Sequence, residues 1–287
     1  MSVDVKILDG RLVAKSILNN SKKLVQRLKD EKSVTPCLAT ILVGDDPAST
    51  TYVNMKGKKC DNVGALPKQI ILPASITTQD LVNVIVELNK DKNVHGILLQ
   101  HPVPSHIDEP LCFETISVDK DVDGVTSHSF GRFSFKFPAF GCCTPYGIMR
   151  ILEYYDIDVT GMDAVVVGRS TILGQPMSMM LMNADATVTI CHSKTKKLSD
   201  IVKRADLVVA AVGRPEFIKG SWIKKGAIVI DAGYNEGNVG DVEYEAAYKR
   251  ASRITPVPGG VGPCTIATLI DQGVIAAARQ NGLNILR

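Results

Sequence analysis

Short runs of β-branched and aliphatic residues alternate with amphipathic stretches along most of the chain. The runs with the length and composition of buried strands are 38–43, 96–100, 164–167, 187–190, 207–212 and 227–231. Hydrophobic residues recur every three or four positions between them, which predicts helices. The helical stretches are 11–29, 81–88, 146–155 and 265–279. Alternating strands and helices are typical of parallel sheets covered on both faces, so the pattern predicts an α/β protein.

The composition of the chain changes between Lys120 and Pro145, where Gly, Phe, Ser, Cys and Pro dominate without a sustained period. We interpret this segment as a connecting region and predict a domain boundary near residue 140. The two predicted domains span 1–140 and 141–287, with a cleft between them. The last stretch, 265–287, follows a Gly/Pro-rich loop and could pack back onto the first domain, although the sequence leaves open which domain it joins.

Composition excludes several classes of protein. Hydrophobic residues make up 45% of the 287 residues and charged residues 22%, as in ordinary globular proteins. The excess of Lys and Arg over Asp and Glu, 33 against 30, gives a net charge of only +3. This charge is too small for a dedicated nucleic-acid or membrane-surface binder. We also see no uninterrupted apolar stretch of the ~20 residues that a membrane span requires.

The cysteines and histidines suggest neither disulfides nor a metal site. The seven cysteines are odd in number, scattered and free of CxxC pairs, which favours buried thiols in a reducing compartment. Charged residues interrupt the apolar residues at the start of the chain, unlike a secretory signal. His101, His106 and His128 lack ligand spacing. We therefore predict a cytoplasmic protein without a metal.

A glycine turn follows the predicted strand 164–167. Gly168, Arg169 and Ser170 lead into a helix that begins near Pro176. A turn of this kind directs free N–H groups and the positive end of the helix towards a diphosphate. The segment departs from the G-x-G-x-x-G fingerprint, so an ordinary structural turn explains it about as well.

The end of the next predicted strand favours a phosphorylated dinucleotide. NAD-binding folds place an Asp or Glu about 20 residues after the glycine turn, but residues 191–197 (CHSKTKK) contain no carboxylate. Ser193 and Arg169 could instead bind a ribose 2′-phosphate. We therefore predict a Rossmann-like doubly wound sheet that binds NADP. The alternative is that the basic run is simply a solvated surface turn.

A lysine and a tyrosine share one helical face in the first half. Tyr52 and Lys56 are four residues apart on a helix that starts near Asp46. A partly buried lysine beside other cations has a lowered pKa and can transfer protons near neutral pH. Lys58 and Lys59 would supply the neighbouring charge. An exposed basic helix is the alternative interpretation.

Two further polar side chains in the first half are candidates for binding or catalysis. Gln100 ends the strand 96–100, at the sheet edge where α/β proteins bind ligands, and its amide could orient a lysine or a heterocycle. Asp123 lies in the turn Asp-Val-Asp-Gly, which could equally be ordinary turn chemistry. With Lys56, they make the first domain the candidate α/β catalytic domain.

Several of these segments together resemble the bifunctional methylenetetrahydrofolate dehydrogenase/cyclohydrolase family. The segments, in the family's order, are TYVNMKGKKC, GILLQHPVP, DKDVDG, CTPYGI, VVVGRSTILGQPM, ATVTICHSKT, GAIVIDAGYN, VGDV and TPVPGGVGPCTIATL. The resemblance implies NADP-dependent oxidation of 5,10-methylenetetrahydrofolate and hydrolysis of the methenyl product to 10-formyltetrahydrofolate. It also implies tetrahydrofolate derivatives as ligands and a homodimer.

The resemblance assigns roles by position. Lys56 matches the general acid/base, Tyr52 the aromatic beside the pterin, Gln100 the amide bonded to the lysine, and Asp123 the carboxylate that binds the pterin. The cofactor-binding positions are Gly168, Arg169, Ser170, Ser193 and Tyr234, and the further substrate-binding positions are Pro258, Gly259 and Gly260.

The chain departs from the family at three positions. His101 replaces a usual Leu, Cys142 a usual Pro, and Tyr234 a usual Ile. Two other functions remain open. The first is an NADP-dependent dehydrogenase of another small substrate with Lys56 as base, and the second is a non-catalytic NADPH-binding regulator. Binding of folate would distinguish the folate enzyme from the first alternative, and a turnover assay would distinguish it from the second.

Overall fold

The computed structural model describes residues 6–285, with residue 48 described by its backbone only. The strands are β1 (Cys37–Val43), β2 (Leu66–Leu72), β3 (Gly96–Leu99), β4 (Asp163–Val167), β5 (Thr187–Cys191), β6 (Leu207–Ala210), β7 (Ile228–Asp231) and β8 (Arg253–Ile254). The helices are α1 (Gly10–Lys32), α2 (Pro47–Val63), α3 (Thr78–Lys90), α4 (Glu109–Thr115), α5 (Ser127–Ser134), α6 (Cys143–Tyr154), α7 (Gly174–Asn183), α8 (Leu198–Val202), α9 (Tyr244–Arg250) and α10 (Val261–Gln280). The predicted α/β class is confirmed, and each predicted strand is present within a few residues of its expected bounds.

The chain divides into two compact units. The first unit contains a three-stranded parallel sheet in the order β2-β1-β3. Strands β1 and β3 are almost wholly buried, whereas β2 lies at the sheet edge and is mostly exposed. The sequence did not predict β2, because its LPKQIIL run mixes polar and apolar residues without the continuous apolar character of a central strand.

The second unit contains a five-stranded parallel sheet in the order β5-β4-β6-β7-β8. Strand β4 pairs with β5 on one side and with β6 on the other, so the chain changes direction across the sheet at β4. Open α/β sheets bind ligands beyond the carboxyl ends of the strands at such a switch point. The glycine turn at Gly168 begins there. This sheet has the predicted doubly wound arrangement.

The two units differ from the predicted ranges 1–140 and 141–287 at the N-terminus, whereas the C-terminal helix belongs to the first unit, one of the two placements that the sequence left open. Residues 15–143 and 266–285 form the first unit, and residues 6–14 and 144–265 form the second. Residues 6–14 belong to the second because Leu8 N–H donates to Ile254 O and Gly10 N–H to Gly259 O, both at 2.9 Å. Most of α10 belongs to the first unit, where its side chains join the hydrophobic core that also holds Val25 and Leu28.

The segment predicted as a connecting region, 120–145, contains a helix and the start of another. Helix α5 occupies Ser127–Ser134, and α6 begins at Cys143. The Thr126 hydroxyl caps α5 by accepting a hydrogen bond from Ser129 N–H at 3.0 Å. A helix of eight residues completes about two turns, too few to produce a recognisable hydrophobic period.

Helix α10 is long and apolar enough to cross a membrane, and it is the one such helix within residues 6–285. However, 83% of its most apolar 18-residue window is buried inside the protein. Its apolar character is explained by its place in the protein core. The cysteines are free thiols, six of them buried.

Candidate active site

Helix α2 carries the predicted lysine. Asp46 caps its first turn by accepting a hydrogen bond from Ser49 N–H at 2.8 Å, and Pro47 occupies a first-turn position where the missing N–H is not needed. Tyr52 and Lys56 follow one turn apart, and both side chains are half-buried. The cap therefore fixes the start of the helix that presents both residues.

The lysine is held by the predicted amide. Lys56 Nζ donates to Gln100 Oε1 at 2.9 Å, as the resemblance led us to expect. The other end of the Gln100 amide donates to His101 O at 2.7 Å, so its oxygen is directed to Lys56. Gln100 directly follows β3, and its own N–H donates to Ile41 O at 2.8 Å. The sheet edge thus orients the amide.

Burial lowers the pKa of Lys56 because removal from water disfavours the ammonium form, and the nearby negative charge of Asp123 opposes this effect. Of the two causes that the sequence suggested for the lowered pKa, partial burial is confirmed and the charge of the neighbouring lysines is not. Lys58 and Lys59 are exposed and are not among the groups that shift the pKa of Lys56.

Asp123 lies in a turn, residues 121–124, that follows an isolated bridge between Ile97 and Asp121. The Asp121 carboxylate accepts from Val125 N–H at 3.1 Å and Thr126 N–H at 3.0 Å, which fixes the turn. Burial raises the pKa of Asp123, and the charge of Lys56 opposes this shift. The structure therefore places Lys56, Gln100 and Asp123 together, as the sequence predicted.

The other predicted substrate-binding residues lie in the second unit. Pro258, Gly259 and Gly260 form the loop before α10, and Gly259 O accepts from Gly10 N–H at 2.9 Å. Gly259 adopts a positive φ of 105°. Of the predicted substrate-binding residues, Tyr52, Gln100 and Asp123 thus belong to the first unit and the residues of this loop to the second.

The glycine turn after β4 has the backbone geometry of a dinucleotide site. Gly168 has φ +138°, and a Cβ at this position would collide with the Ala211 carbonyl oxygen. Gly174 N–H, at the start of α7, donates to Ser170 Oγ at 3.3 Å. Arg169 and Ser170 are exposed at this turn. The turn can therefore hold a diphosphate against the start of a ten-residue helix.

The turn after β5 fits a phosphorylated ribose. His192 N–H donates to Thr195 Oγ1 at 2.8 Å, and Lys194 N–H donates to His192 Nδ1 at 3.2 Å, so the turn is ordered by its own side chains. Ser193 and Lys194 are exposed. The turn has hydroxyl and ammonium donors but no carboxylate, and a 2′-phosphate needs such donors.

Two aspartates that the sequence analysis missed support the loop around Tyr234. Asp231 ends β7 and accepts 2.9 Å hydrogen bonds from the N–H groups of Gly233, Asp241 and Val242. Burial raises the pKa of Asp231 to about 6, although these donors oppose the shift. The signal that could have found Asp231 is a carboxylate at the end of a buried apolar strand.

Asp241 holds the backbone that follows β6. Its carboxylate accepts from the N–H groups of Val212, Gly213 and Arg214 at 2.6–2.9 Å. Tyr234 itself is 59% exposed, and its hydroxyl donates to Asn238 Oδ1 at 2.7 Å. The predicted cofactor-side tyrosine therefore lies on a loop whose two ends are fixed by buried carboxylates.

The glycine turn after β4, the turn after β5 and the half-buried Lys56 with its partners have the features of an α/β enzyme that uses a nicotinamide nucleotide. The model of the tetrahydrofolate dehydrogenase/cyclohydrolase catalytic domain matches residues 8–123, and that of the family's NAD(P)-binding domain matches residues 142–281. The chain belongs to the tetrahydrofolate dehydrogenase/cyclohydrolase family.

Individual relatives match over nearly the full length. The bifunctional protein FolD of Acidobacterium capsulatum is 56% identical over 96% of this chain and 99% of its own. The FolD of Cellvibrio japonicus is 58% identical over 93% and 96%. The crystal structure of the Campylobacter jejuni bifunctional enzyme FolD superposes with a TM-score of 0.93, at 44% identity over 95% and 98%.

A further solved structure contains the cofactor. The Trypanosoma brucei N5,N10-methylenetetrahydrofolate dehydrogenase-cyclohydrolase, complexed with NADP cofactor and inhibitor, superposes with a TM-score of 0.92 at 36% identity. The match covers 95% of this chain and 97% of that one.

Proposed function

We propose that this protein oxidises 5,10-methylenetetrahydrofolate with NADP and hydrolyses the 5,10-methenyl product to 10-formyltetrahydrofolate. It thus acts in one-carbon metabolism. The observation that carries the proposal is the hydrogen bond between half-buried Lys56 and Gln100 beside the Asp123 carboxyl. Both reactions act on the same pterin, and this group can bind the pterin and move protons at its reacting atoms.

The oxidation requires positioning more than proton transfer. NADP supplies the hydride acceptor when bound, and loss of hydride leaves an amidinium cation delocalised over N5 and N10. Asp123 can accept two N–H bonds from the amino-pyrimidine edge of the pterin. Those donors favour the carboxylate form against the burial that raises its pKa. Tyr52 flanks the ring one helical turn from Lys56.

The hydrolysis requires a base and then an acid. Neutral Lys56 takes a proton from the water that attacks the methenyl carbon. The resulting ammonium returns this proton to N5 as the bond between N5 and the carbon breaks. The hydroxyl left on the carbon loses its proton to solvent as the C=O bond forms, so the formyl group remains on N10. Gln100 Oε1 accepts an N–H from Lys56, which holds the amine in place through both transfers. Burial lowers the pKa of Lys56, so the neutral amine is available at a lower pH than for an exposed lysine.

A single assay tests the proposal. Purified protein is mixed with 5,10-methylenetetrahydrofolate and either NADP or NAD, and the absorbances of NADPH and the methenyl product are followed together. We expect NADPH to form first, with the methenyl signal rising and then decaying. Turnover of other small alcohols or carbonyl substrates without folate turnover would favour the alternative dehydrogenase, and binding without turnover would favour the regulator.

The proposed preference for NADP over NAD can be tested by substituting Ser193. Ser193→Asp places a carboxylate where we propose the 2′-phosphate binds, so NADP affinity should fall about 30-fold, through loss of a charge-assisted hydrogen bond and added repulsion. NAD affinity should stay within about threefold, because NAD lacks that phosphate. Isothermal titration of both nucleotides measures the effect. The exposed Thr187→Asp, at the opposite end of β5, is the matched control.

We also propose that the protein is a homodimer. The edge strand β2 supports this, because its Leu66 is 54% and its Ile71 67% exposed, and exposed apolar edge strands are typically covered by pairing. Light scattering on a gel-filtration peak should give twice the chain mass. A single-chain mass at micromolar concentration would contradict the proposal.

We further propose a cytoplasmic location. Seven free cysteines, six of them buried, favour a reducing compartment. Fractionation of the native cells, with an antibody to the protein, tests this proposal.

A further inference from the structure

The turn that carries Asp123 is held from the C-terminal helix. Gln272 on α10 donates from Nε2 to Val122 O at 2.7 Å and to Gly141 O at 2.9 Å. The Cys143 thiol donates to the same Val122 oxygen at 3.3 Å. One amide therefore fastens the residue before Asp123 to the segment that precedes α6.

The next two carbonyls of the turn are held as well. Cys143 N–H donates to Asp123 O at 3.2 Å, and the Cys142 thiol donates to Gly124 O at 2.8 Å. Gly124 has φ +67°, and a Cβ there would collide with the backbone of Gly141. Three consecutive carbonyl oxygens, those of residues 122–124, thus accept hydrogen bonds from outside the turn.

These contacts are buried, which makes them rigid. Gln272 is 2% exposed, Cys142 4% and Cys143 2%. Buried amide donors that lose their partners carry a large desolvation cost, so Gln272 has little freedom to leave the turn. The Asp123 carboxyl also lies beside the Cys143 thiol as an alternative acceptor for the thiol proton, and the presence of this thiol lowers the pKa of Asp123, which favours the carboxylate form. The backbone and the side chain of Asp123 are therefore both constrained by this set.

We propose that Gln272, Cys142 and Cys143 are positioning residues that fix the Asp123 carboxylate for binding the pterin, so that α10 determines the affinity for the folate substrate. The proposal rests on the proposed role of Asp123. The proposed role concerns folate binding and neither NADP binding nor hydride transfer, so substitution of these residues should change the folate KM.

The test is Gln272→Met, which keeps the volume of the side chain and removes both donors. We expect the KM for 5,10-methylenetetrahydrofolate to rise about tenfold, because a displacement of a binding group by about 1 Å is costly. The KM for NADP should not change. The pH midpoint of the cyclohydrolase should fall, because displacement of Asp123 removes negative charge that supports the Lys56 ammonium.

Val274→Ala is the matched control for lost stability. Val274 lies on the same helix as Gln272 and is buried in the hydrophobic core of the first unit. It should lower the melting temperature without changing the folate KM or the pH midpoint. If Gln272→Met changes the KM no more than Val274→Ala does, the proposal is overturned. If Asp123→Asn also leaves the folate KM unchanged, both the role of Asp123 and the proposal are wrong. If Asp123→Asn raises the folate KM strongly but Gln272→Met does not, only the proposal is wrong.

A second pair of variants decides the matter if Gln272→Met does not fold. Cys142→Ala removes the donor to Gly124 O, and Cys142→Ser keeps a donor of similar size. We expect the alanine variant to raise the folate KM about threefold, equivalent to about half of a typical hydrogen-bond contribution. The serine variant should restore the value of the unmodified protein. Equal KM values for both variants and the unmodified protein would overturn the proposal.

Discussion

Replacing Lys56 with methionine should lower the cyclohydrolase rate by about 10³-fold, the usual contribution of a positioned acid/base. Methionine fills a similar volume but neither takes a proton from water nor returns one to N5. NADP affinity should be unchanged, because the predicted cofactor residues belong to the other compact unit. Decay of 5,10-methenyltetrahydrofolate measures the first effect and nucleotide titration the second.

Lys59→Met is the control for Lys56→Met. Lys59 lies on the same helix and is exposed, so its loss should leave the hydrolysis rate within about twofold, as is usual for surface substitutions. Hydrolysis at the normal rate by Lys56→Met would contradict the assignment of Lys56 as the acid/base.

The cyclohydrolase rate should also rise with pH. Burial lowers the pKa of Lys56 below its ordinary 10.5, so the neutral base becomes available at a lower pH than for an exposed lysine. The same shift affects stability with a definite sign. Burial of the ammonium destabilises the fold fully below the folded pKa, and this cost disappears as pH rises towards 10.5. A cyclohydrolase rate that does not change as the pH rises towards 10.5 would contradict the role of Lys56.

Asp123→Asn should raise the KM for the folate substrate about 30-fold in both activities. The substitution keeps the shape of the side chain but replaces one acceptor oxygen with a donor, which costs roughly 2 kcal/mol at a buried charged site. Loss of the negative charge also removes an interaction that supports the Lys56 ammonium, so the pH midpoint of the hydrolysis should fall. Initial rates at varied folate concentration and pH measure both effects.

Asp119→Asn is the control for Asp123→Asn. Asp119 is exposed and near in sequence, so both its KM and its pH midpoint should match those of the unmodified protein. A folate KM for Asp123→Asn within twofold of the unmodified value would contradict direct binding of the pterin by this carboxylate.

Most of the fold could be predicted because its central strands are continuous apolar runs. Strands β4 and β6 show this clearly, since their interior positions are almost all buried. Edge strand β2 was missed because it carries no such signal. The sequence did not indicate that residues 6–14 belong to the second unit. Their backbone partners, Ile254 and Gly259, are far away in the chain.

The candidate site was predictable where the chemistry is local. The Lys56 to Gln100 hydrogen bond follows from a helix face and a strand end. The relative weight of the two suggested causes of the Lys56 pKa shift was not predictable, since it depends on how far the folded chain buries the amine and where it directs Lys58 and Lys59. Gln272 is 150 residues from its partner Val122, and no spacing rule connects two such positions.

The core of the first unit contains side chains from α10, including Leu269, Ile270 and Val274, beside Val25 and Leu28. A ribosome makes the chain from its N-terminus, so the interior of the first unit cannot close until α10 has been synthesised. The dinucleotide-binding sheet is complete earlier, at β8. The unit that contains most of the N-terminal half of the chain is therefore the later of the two to close its core during vectorial synthesis.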